Sequence, residues 1–518
     1  MSLTQVCDGE RGWSEVPEAG SWQFRWVVER WRAHPAWHLP AASALVGVAV
    51  AAAAVTAAGP WDSGQRTAER QRAEARSPTR GEHHGERSGG RSGRAAGTVP
   101  RAATVLAPLG AAAGPTQSPD PVPPPTRDGL TDSLGPLLKD PALGPLRSAS
   151  VVDAATGKQL YGSDAGTAAL PASTIKIATA VAALDALGPD HRIETTVVTG
   201  AADDEIVLVG GGDPTLTARK PLGVDKPAAL RTLARDTARA LKDRGRTEVT
   251  VGYDTSRYSG PDVHPIGPGN ENIAAVTPLM ADEGRLDDSA GGPAPRSADP
   301  AADAARTFAR LLRDRGIDTK GDPHTVTAGH KAERLAVVRS FPLSTLVERM
   351  LTTSDNDIAE ALARQTAIAV EEPVSFEGGG RAVTRRLEKL GLPLKGAKFT
   401  DGSGLSRKNE VTADLLAQLL VRAADPARPE LRPVLTGLPV AGFTGTLRGR
   451  YADAPAGTGV VRAKTGTLTG VNTLAGTVVD ADGRLLAFAF MTTDAADPHG
   501  AQAALDRLAS AVANCGCR

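Results

Sequence analysis

Three short motifs supply the residue types needed for acyl transfer through a serine ester. The first is Ser173-Thr174-Ile175-Lys176. A serine hydroxyl is a poor nucleophile until a neighbouring base takes its proton. Positions three apart share one face of a helix, so the Lys176 amine can reach Ser173. Lysine is a base only when neutral, and its reference pKa is about 10.4. Bringing that near 7 takes about 4–5 kcal/mol, supplied by burial or by a second cation. The second motif is Ser354-Asp355-Asn356, with a hydroxyl that can relay a proton and an amide that can bind a substrate peptide group. The third is Lys464-Thr465-Gly466, followed by Thr467. A glycine on a strand lets a ligand backbone approach, and a strand edge can pair with an extended peptide. Lys464 would offer positive charge to a terminal carboxylate and push the Lys176 pKa down.

Each motif alone is a weak signal. A helix-capping serine with a surface lysine, a polar helix cap and an exposed strand lysine would account for them one by one. The combination and order are much rarer. Ser-x-x-Lys, Ser-Asp-Asn and Lys-Thr-Gly together mark penicillin-binding proteins and class A β-lactamases.

The elements that must position these motifs are legible around them. Ser173 to Leu187 reads as a helix stopped by Gly188-Pro189. Leu346 to Ala369 reads as mostly helical, interrupted at Thr352-Thr353-Ser354. Ala149 to Tyr161 predicts two strands joined at Thr156-Gly157, and Ile206 to Val209 predicts a short strand. Gly470 to Val479 and Arg484 to Met491 predict a hairpin. Ala301 to Arg315 and Ala501 to Val512 predict helices. Strands and helices at both ends of this region predict an α/β layered (α+β) domain.

Beyond the triplets the chain resembles the S13 family of D-alanyl-D-alanine carboxypeptidases/endopeptidases, the class C low-molecular-mass penicillin-binding proteins. The resemblance rests on Pro171 to Lys176, Gly210 to Leu216, Asp401 to Arg407, Gly442 to Leu447, and Lys464 to Thr467 with Val471 to Gly476. It covers roughly residues 130–515. It implies a penicillin-binding/β-lactamase-like transpeptidase domain with an inserted smaller domain. Ser173 would be acylated with loss of a terminal D-Ala, Lys176 would be the base, and Ser354 would pass the proton. Asn356, Lys464, Thr465, Gly466 and Thr467 would bind the substrate. The backbone amides of Ser173 and Thr467 would form the oxyanion hole. Arg407 and Asp282 are expected in the pocket for the stem-peptide side chain. The partners implied are peptidoglycan stem peptides as substrate and β-lactams as covalent inhibitors. No cofactor and no metal are expected. The alternatives are a β-lactamase-like serine hydrolase, or a non-catalytic β-lactam-sensing wall-binding protein. Ser173 and Ser354 lie 181 positions apart, too far for class A β-lactamases, yet short for the larger S13 members. No Glu-x-x-Leu-Asn segment follows Ser354.

The 518 residues divide accordingly. Residues 1–35 read as a cytoplasmic segment. Ala33 to Trp61 contains no Asp, Glu, Lys or Arg, and Ala41 to Gly59 has the length of a bilayer-spanning helix. Trp37 and Trp61 bracket it at interfacial positions. Residues 36–60 are expected to be a transmembrane anchor or an uncleaved signal, with Val55 to Ala58 leaving cleavage open. Arginines lie on both sides of the span, so the extracellular location of the substrate sets the orientation: cell membrane, single-pass, catalytic domain outside. Residues 61–127, rich in Arg, Gly and Pro, read as a disordered linker. His83 and His84 fall in it as solvated residues. Residues 128–200 and 340–515 are expected to form the catalytic domain, and 201–339 the insert. Net charge is zero, and no basic stripe carries aromatics, which excludes nucleic acid as a partner. The three cysteines, Cys7, Cys515 and Cys517, lie far from the motifs. Cys515 and Cys517 allow a short strained disulfide or an exposed tail.

Overall fold

The computed structural model describes residues 123–220 and 227–516. The span expected at 36–60, most of the expected linker, His83, His84, Cys7 and Cys517 lie outside the described residues. Among the described residues no helix is long and apolar enough to cross a membrane.

In chain order the elements are α1 (Arg127–Leu134), β1 (Leu146–Asp153), β2 (Gln159–Ser163), α2 (Lys176–Leu187), β3 (Glu194–Thr199), β4 (Glu205–Val209), α3 (Leu230–Lys242), β5 (Glu248–Asp254), α4 (Pro300–Arg313), β6 (Asp318–Thr325) and β7 (Arg334–Arg339). There follow α5 (Leu343–Thr353), α6 (Asn356–Ala369), α7 (Phe376–Lys389), α8 (Ala413–Ala424), the single turn α9 (Pro433–Thr436), β8 (Arg462–Leu468), β9 (Val471–Val479), β10 (Leu485–Thr493) and α10 (Pro498–Ala513).

The first sheet runs β2-β1-β10-β9-β8, antiparallel throughout. It is covered on both faces, so its central strand β10 reads as a continuous apolar run. Phe488 and Phe490 of β10 face a core shared with α1 and α10. Ala487, Ala489 and Met491 face the opposite core, with α2, α5, α6 and α8. Small residues on that face let the helices lie close to the sheet.

The second sheet runs β6-β5-β4-β3-β7 and is mixed. Strands β4, β5 and the edge strand β6 pair in parallel, joined by crossovers that contain α3 and α4. Leu230, Leu233 and Leu241 of α3 and Phe308, Leu311 and Leu312 of α4 form its core. Helix α4 starts where Asp299 accepts from Ala302 N at 2.9 Å, with Pro300 in the first turn. This sheet holds the strands of the expected insert, together with β3 from the segment just before it; β3 pairs with both β4 and β7.

At the C-terminus, Cys515 is buried in the core and disulfide-bonded. At that residue the exposed-tail reading is corrected: the end of α10 carries it against the apolar cluster beside Val512 and Ala513.

Candidate active site

The nucleophile sits on a distorted helix start. Residues Ala172–Ile175 form a 3-10 turn rather than the first turn of an α-helix, and α2 begins only at Lys176. In a 3-10 turn, side chains three apart eclipse one another. Lys176 Nζ accordingly stands 2.9 Å from Ser173 Oγ. Ala172, just before the serine, is held at φ 46, a left-handed conformation that costs a non-glycine residue energy and tends to cluster at functional sites. Gly404 allows it, because a Cβ there would lie 2.0 Å from the Ala172 carbonyl oxygen. The Pro171 carbonyl pins the turn by accepting from Thr174 Oγ1 at 2.7 Å and Thr473 Oγ1 at 2.8 Å.

Lys176 is fully buried. Its three N–H bonds have three acceptors: Ser173 Oγ, Asn356 Oδ1 at 2.7 Å and the Ser403 carbonyl at 2.6 Å. Burial brings its pKa down to about 8, against the opposing pull of Asp401, Glu360, Asp355 and Asp357. The expected cation effect falls the other way: Lys464, also fully buried, is held well below its usual value by burial and by the Lys176 charge.

Ser354 and Asn356 come from the break between α5 and α6. Ser354 ends α5 in the left-handed conformation, φ 61. Asp355 then caps α6 by accepting from Ile358 N at 3.0 Å. This turn presents Ser354 Oγ to Lys464 Nζ at 2.9 Å. Lys464 also donates to the Thr465 carbonyl at 2.8 Å. It therefore lies behind the cleft wall, with its amine held by Ser354 and the Thr465 carbonyl. Asn356 joins the base through Oδ1 and donates from Nδ2 to the Asn272 carbonyl at 3.0 Å.

Strand β8 is the sheet edge beside the nucleophile. A Cβ on Gly466 would meet Thr473 Oγ1 at 2.1 Å, the Pro171 carbonyl at 2.6 Å and Ser173 N at 3.1 Å. Only glycine lets β8 approach Ser173 so closely. Thr465 Oγ1 meets Thr446 Oγ1 at 2.8 Å, tying the 442–447 segment to the strand.

A cavity of about 230 Å³ brings Ser173, Ser354, Asn356 and Thr467 together. The insert closes its far wall with Asn272, Arg285, Gly291, Gly292, Pro293 and Arg296. Of the expected residues, Lys176, Lys464, Thr465, Gly466, Asp282 and Arg407 are not among those lining this cavity. Asp282, at φ 52, turns its carboxylate back to Thr217 Oγ1 at 2.5 Å and Ala218 N at 3.0 Å. Arg407 donates to the Thr469 carbonyl at 3.1 Å, just past the end of β8.

Several polar residues around the site were not singled out from the sequence. Asp357, Glu360, Arg364 and Gln365 are buried along one face of α6, at the spacing that ordinarily carries an apolar stripe. Each faces a partner group. Asp357 accepts from Ala274 N and from Arg296 Nη1, both at 2.9 Å. Gln365 donates to the Gly211 carbonyl at 2.8 Å. Arg364 stacks 4.0 Å above the Phe376 ring. Glu360 Oε1 accepts from Gly402 N at 3.0 Å and Ser403 N at 2.8 Å. The i, i+3, i+7, i+8 spacing of these four was the available signal. Among the described residues, two carboxylate groupings are compact enough to consider for a metal: His264 with Glu360 and Asp401, and Glu283 with Asp355 and Asp357. In both, N–H and guanidinium donors already face the oxygens: Gly404 N and Ser406 N on Asp401, and Arg285, Arg296 and Arg349 on the second group.

The chain matches the sequence pattern of the D-Ala-D-Ala carboxypeptidase 3 (S13) family over residues 130–290 and 287–512. A carboxypeptidase of Mycobacterium tuberculosis is 40% identical over 403 residues, spanning 75% of this chain and 84% of that protein. Carboxypeptidase DacB of Mycolicibacterium smegmatis is 40% identical over 404 residues, 76% and 85% of the two chains. A D-alanyl-D-alanine carboxypeptidase of an Actinomadura species is 32% identical over 433 residues, 69% and 79%. Among solved structures, penicillin binding protein 4 from Haemophilus influenzae superposes with a TM-score of 0.60 at 24% identity, over 73% of this chain and 97% of that one. That likeness is one of fold, the mixed α/β penicillin-binding architecture.

Proposed function

The chain belongs to the D-Ala-D-Ala carboxypeptidase 3 (S13) family, and from that premise we infer that it is a serine-type D-Ala-D-Ala carboxypeptidase/endopeptidase acting through an acyl-enzyme at Ser173. Its substrates are peptidoglycan stem peptides ending in D-Ala-D-Ala, and β-lactams acylate the same serine. The observation that carries this reading is the pair of hydrogen bonds from two buried lysines to two serines, Lys176 to Ser173 and Lys464 to Ser354, each at 2.9 Å.

The roles follow from those contacts. Neutral Lys176 takes the Ser173 proton as Oγ attacks the penultimate D-Ala carbonyl. The amides of Ser173 and Thr467 take the developing oxyanion. The proton passes by way of Ser354, whose hydroxyl Lys464 orients, to the departing D-Ala nitrogen, and the C–N bond breaks. Thr465 holds the terminal carboxylate, with the Lys464 amine behind it. Water then attacks the ester and frees Ser173. With a β-lactam the cleaved nitrogen stays tethered to the acyl group, so the ester persists. Arg407 would serve the stem-peptide side chain only if it released Thr469, and Asp282 only if it left Thr217.

The apolar run at 41–59 supports a single-pass anchor with the catalytic domain on the outer face of the cell membrane. Membrane fractionation of the full chain, with protease access from outside, tests that placement. The activity is tested by incubating the full chain with a D-Ala-D-Ala peptide. Release of D-Ala by wild type and none by Ser173→Ala is expected. Equal release by both contradicts the assignment. Rapid turnover of penicillin without peptide cleavage favours the β-lactamase-like alternative instead.

A further inference from the structure

Glu360 is fully buried, four residues beyond Asn356 on α6. It touches neither Ser173 nor the cavity, yet its neighbours lead directly to the base. Oε1 accepts both Gly402 N and Ser403 N. The carbonyl of Ser403, the same residue, accepts from Lys176 Nζ at 2.6 Å. The Gly402 carbonyl accepts from Thr179 Oγ1 at 2.7 Å, one turn along α2 from the base. Glu360 therefore fixes the two peptide N–H groups just upstream of the Ser403 carbonyl that holds the Lys176 amine, while the Gly404 N–H of the carbonyl's own peptide donates to Asp401 Oδ1 at 2.8 Å.

The charges around that carboxylate are few. Oε2 has no hydrogen-bond partner among the described residues; its nearest cation is Arg364 Nη1, at 3.9 Å. Burial, then the Asp401 charge, push the Glu360 carboxyl above its usual value, while His264, Arg364 and the Ser403 N–H pull the other way; the two N–H groups on Oε1, and the lack of an acceptor for an O–H at Oε2, favour the ionised form. His264 reaches in from the insert, with Nε2 3.7 Å from Glu360 and 3.1 Å from Asp401. The Ile266 N–H donates to His264 Nδ1, so the ring's own N–H is on Nε2 and points to Asp401. Lys176 itself is faced by Asp401 and Glu360 from below, by Asp355 and Asp357 at the start of α6, and by Lys464 across the cleft.

We propose that Glu360 is a positioning residue for the general base: its carboxylate clamps the 402–403 backbone that holds Lys176 Nζ, and its negative charge sets the pH at which that amine can accept the Ser173 proton. Clamp and charge are separable. Glu360→Gln keeps an oxygen for the two N–H groups and removes the charge. Glu360→Asp keeps the charge and withdraws the clamp by one methylene. The direction follows from sign: a buried negative charge stabilises the protonated amine, so removing it frees the base at lower pH.

The proposal rests on the acyl-enzyme reading, and the test separates the two. The rate of labelling by a fluorescent penicillin is measured against pH for the full-length wild type and both variants. For Glu360→Gln the rising limb is expected to move to lower pH by about half a unit or more, read as about threefold faster labelling on the acid side. For Glu360→Asp the limb is expected to stay while the rate falls at every pH. A Glu360→Gln limb that coincides with wild type overturns the inference. So does an equal loss of rate in both variants with no movement of either limb, the signature of a purely structural residue. Absence of labelling in wild type overturns the acyl-enzyme reading itself, and this inference with it.

Discussion

Lys464 donates from a fully buried Nζ to the Ser354 hydroxyl at 2.9 Å. The Ser354 hydroxyl is thereby aimed by a side chain on the opposite wall of the cleft, the edge strand β8. Removing the hydroxyl breaks the proton path while leaving the nucleophile and its base in place. Ser354→Ala is expected to slow acylation by roughly 10²–10⁴-fold, the usual worth of a positioned proton carrier. Stopped-flow labelling with a fluorescent penicillin measures it. A loss below tenfold would mean that the proton takes another route.

Lys176 must be neutral to act, and burial brings its pKa to about 8. The acylation rate is therefore expected to rise with pH and level off above about 8, falling tenfold for each unit below. Arginine cannot deprotonate in this range, so Lys176→Arg is expected to remove acylation at every pH rather than shift the limb. A pH-rate profile of the two proteins decides this. A limb near the ordinary lysine value would show that burial does not tune the base.

Gly466→Ala places a methyl against Thr473 Oγ1, the Pro171 carbonyl and Ser173 N. Two of those three are backbone atoms of the nucleophile turn and cannot swing aside. The edge strand must move away from Ser173, and Thr467 with it. Acylation is expected to fall by at least about 100-fold, in the range seen when one oxyanion donor is lost. Far-ultraviolet circular dichroism should stay native. Unchanged acylation would remove the 466–467 backbone from the account.

Arg296 and Asp357 form a buried ion pair at 2.9 Å across the seam between the insert and α6. Arg296→Met leaves the Asp357 carboxylate without its cation. Breaking such a pair from one side costs about 3–5 kcal/mol. Urea denaturation should show that loss, and Asp357→Leu combined with Arg296→Met should recover part of it. A single variant as stable as wild type would mean that water reaches the pair.

The parts of this site that were legible in the sequence are those set by short spacings. Ser173 and Lys176 are three apart, and local geometry suffices to join them, although the turn is 3-10 where an α-helix was expected. Two of the three sheet-one hairpins, β1-β2 and β9-β10, were legible too, because strand alternation and turn residues are local signals. Lys464 was expected to face a ligand, as lysines usually face solvent; its burial depends on Ser354, 110 positions away. Glu360 and His264 meet only because the insert's loop folds onto α6, which no local pattern records. Asp282 was placed in the pocket from a resemblance, whereas its positive φ points the carboxylate into the insert.

The central claim is that Ser173 carries the acyl group. The most direct measurement is intact-mass and peptide-map analysis of the full chain after brief exposure to penicillin. The account predicts one added penicilloyl group per chain, located on the peptide that contains Ser173 and absent from Ser173→Ala. An adduct on any other residue, or one that persists in Ser173→Ala, would contradict it.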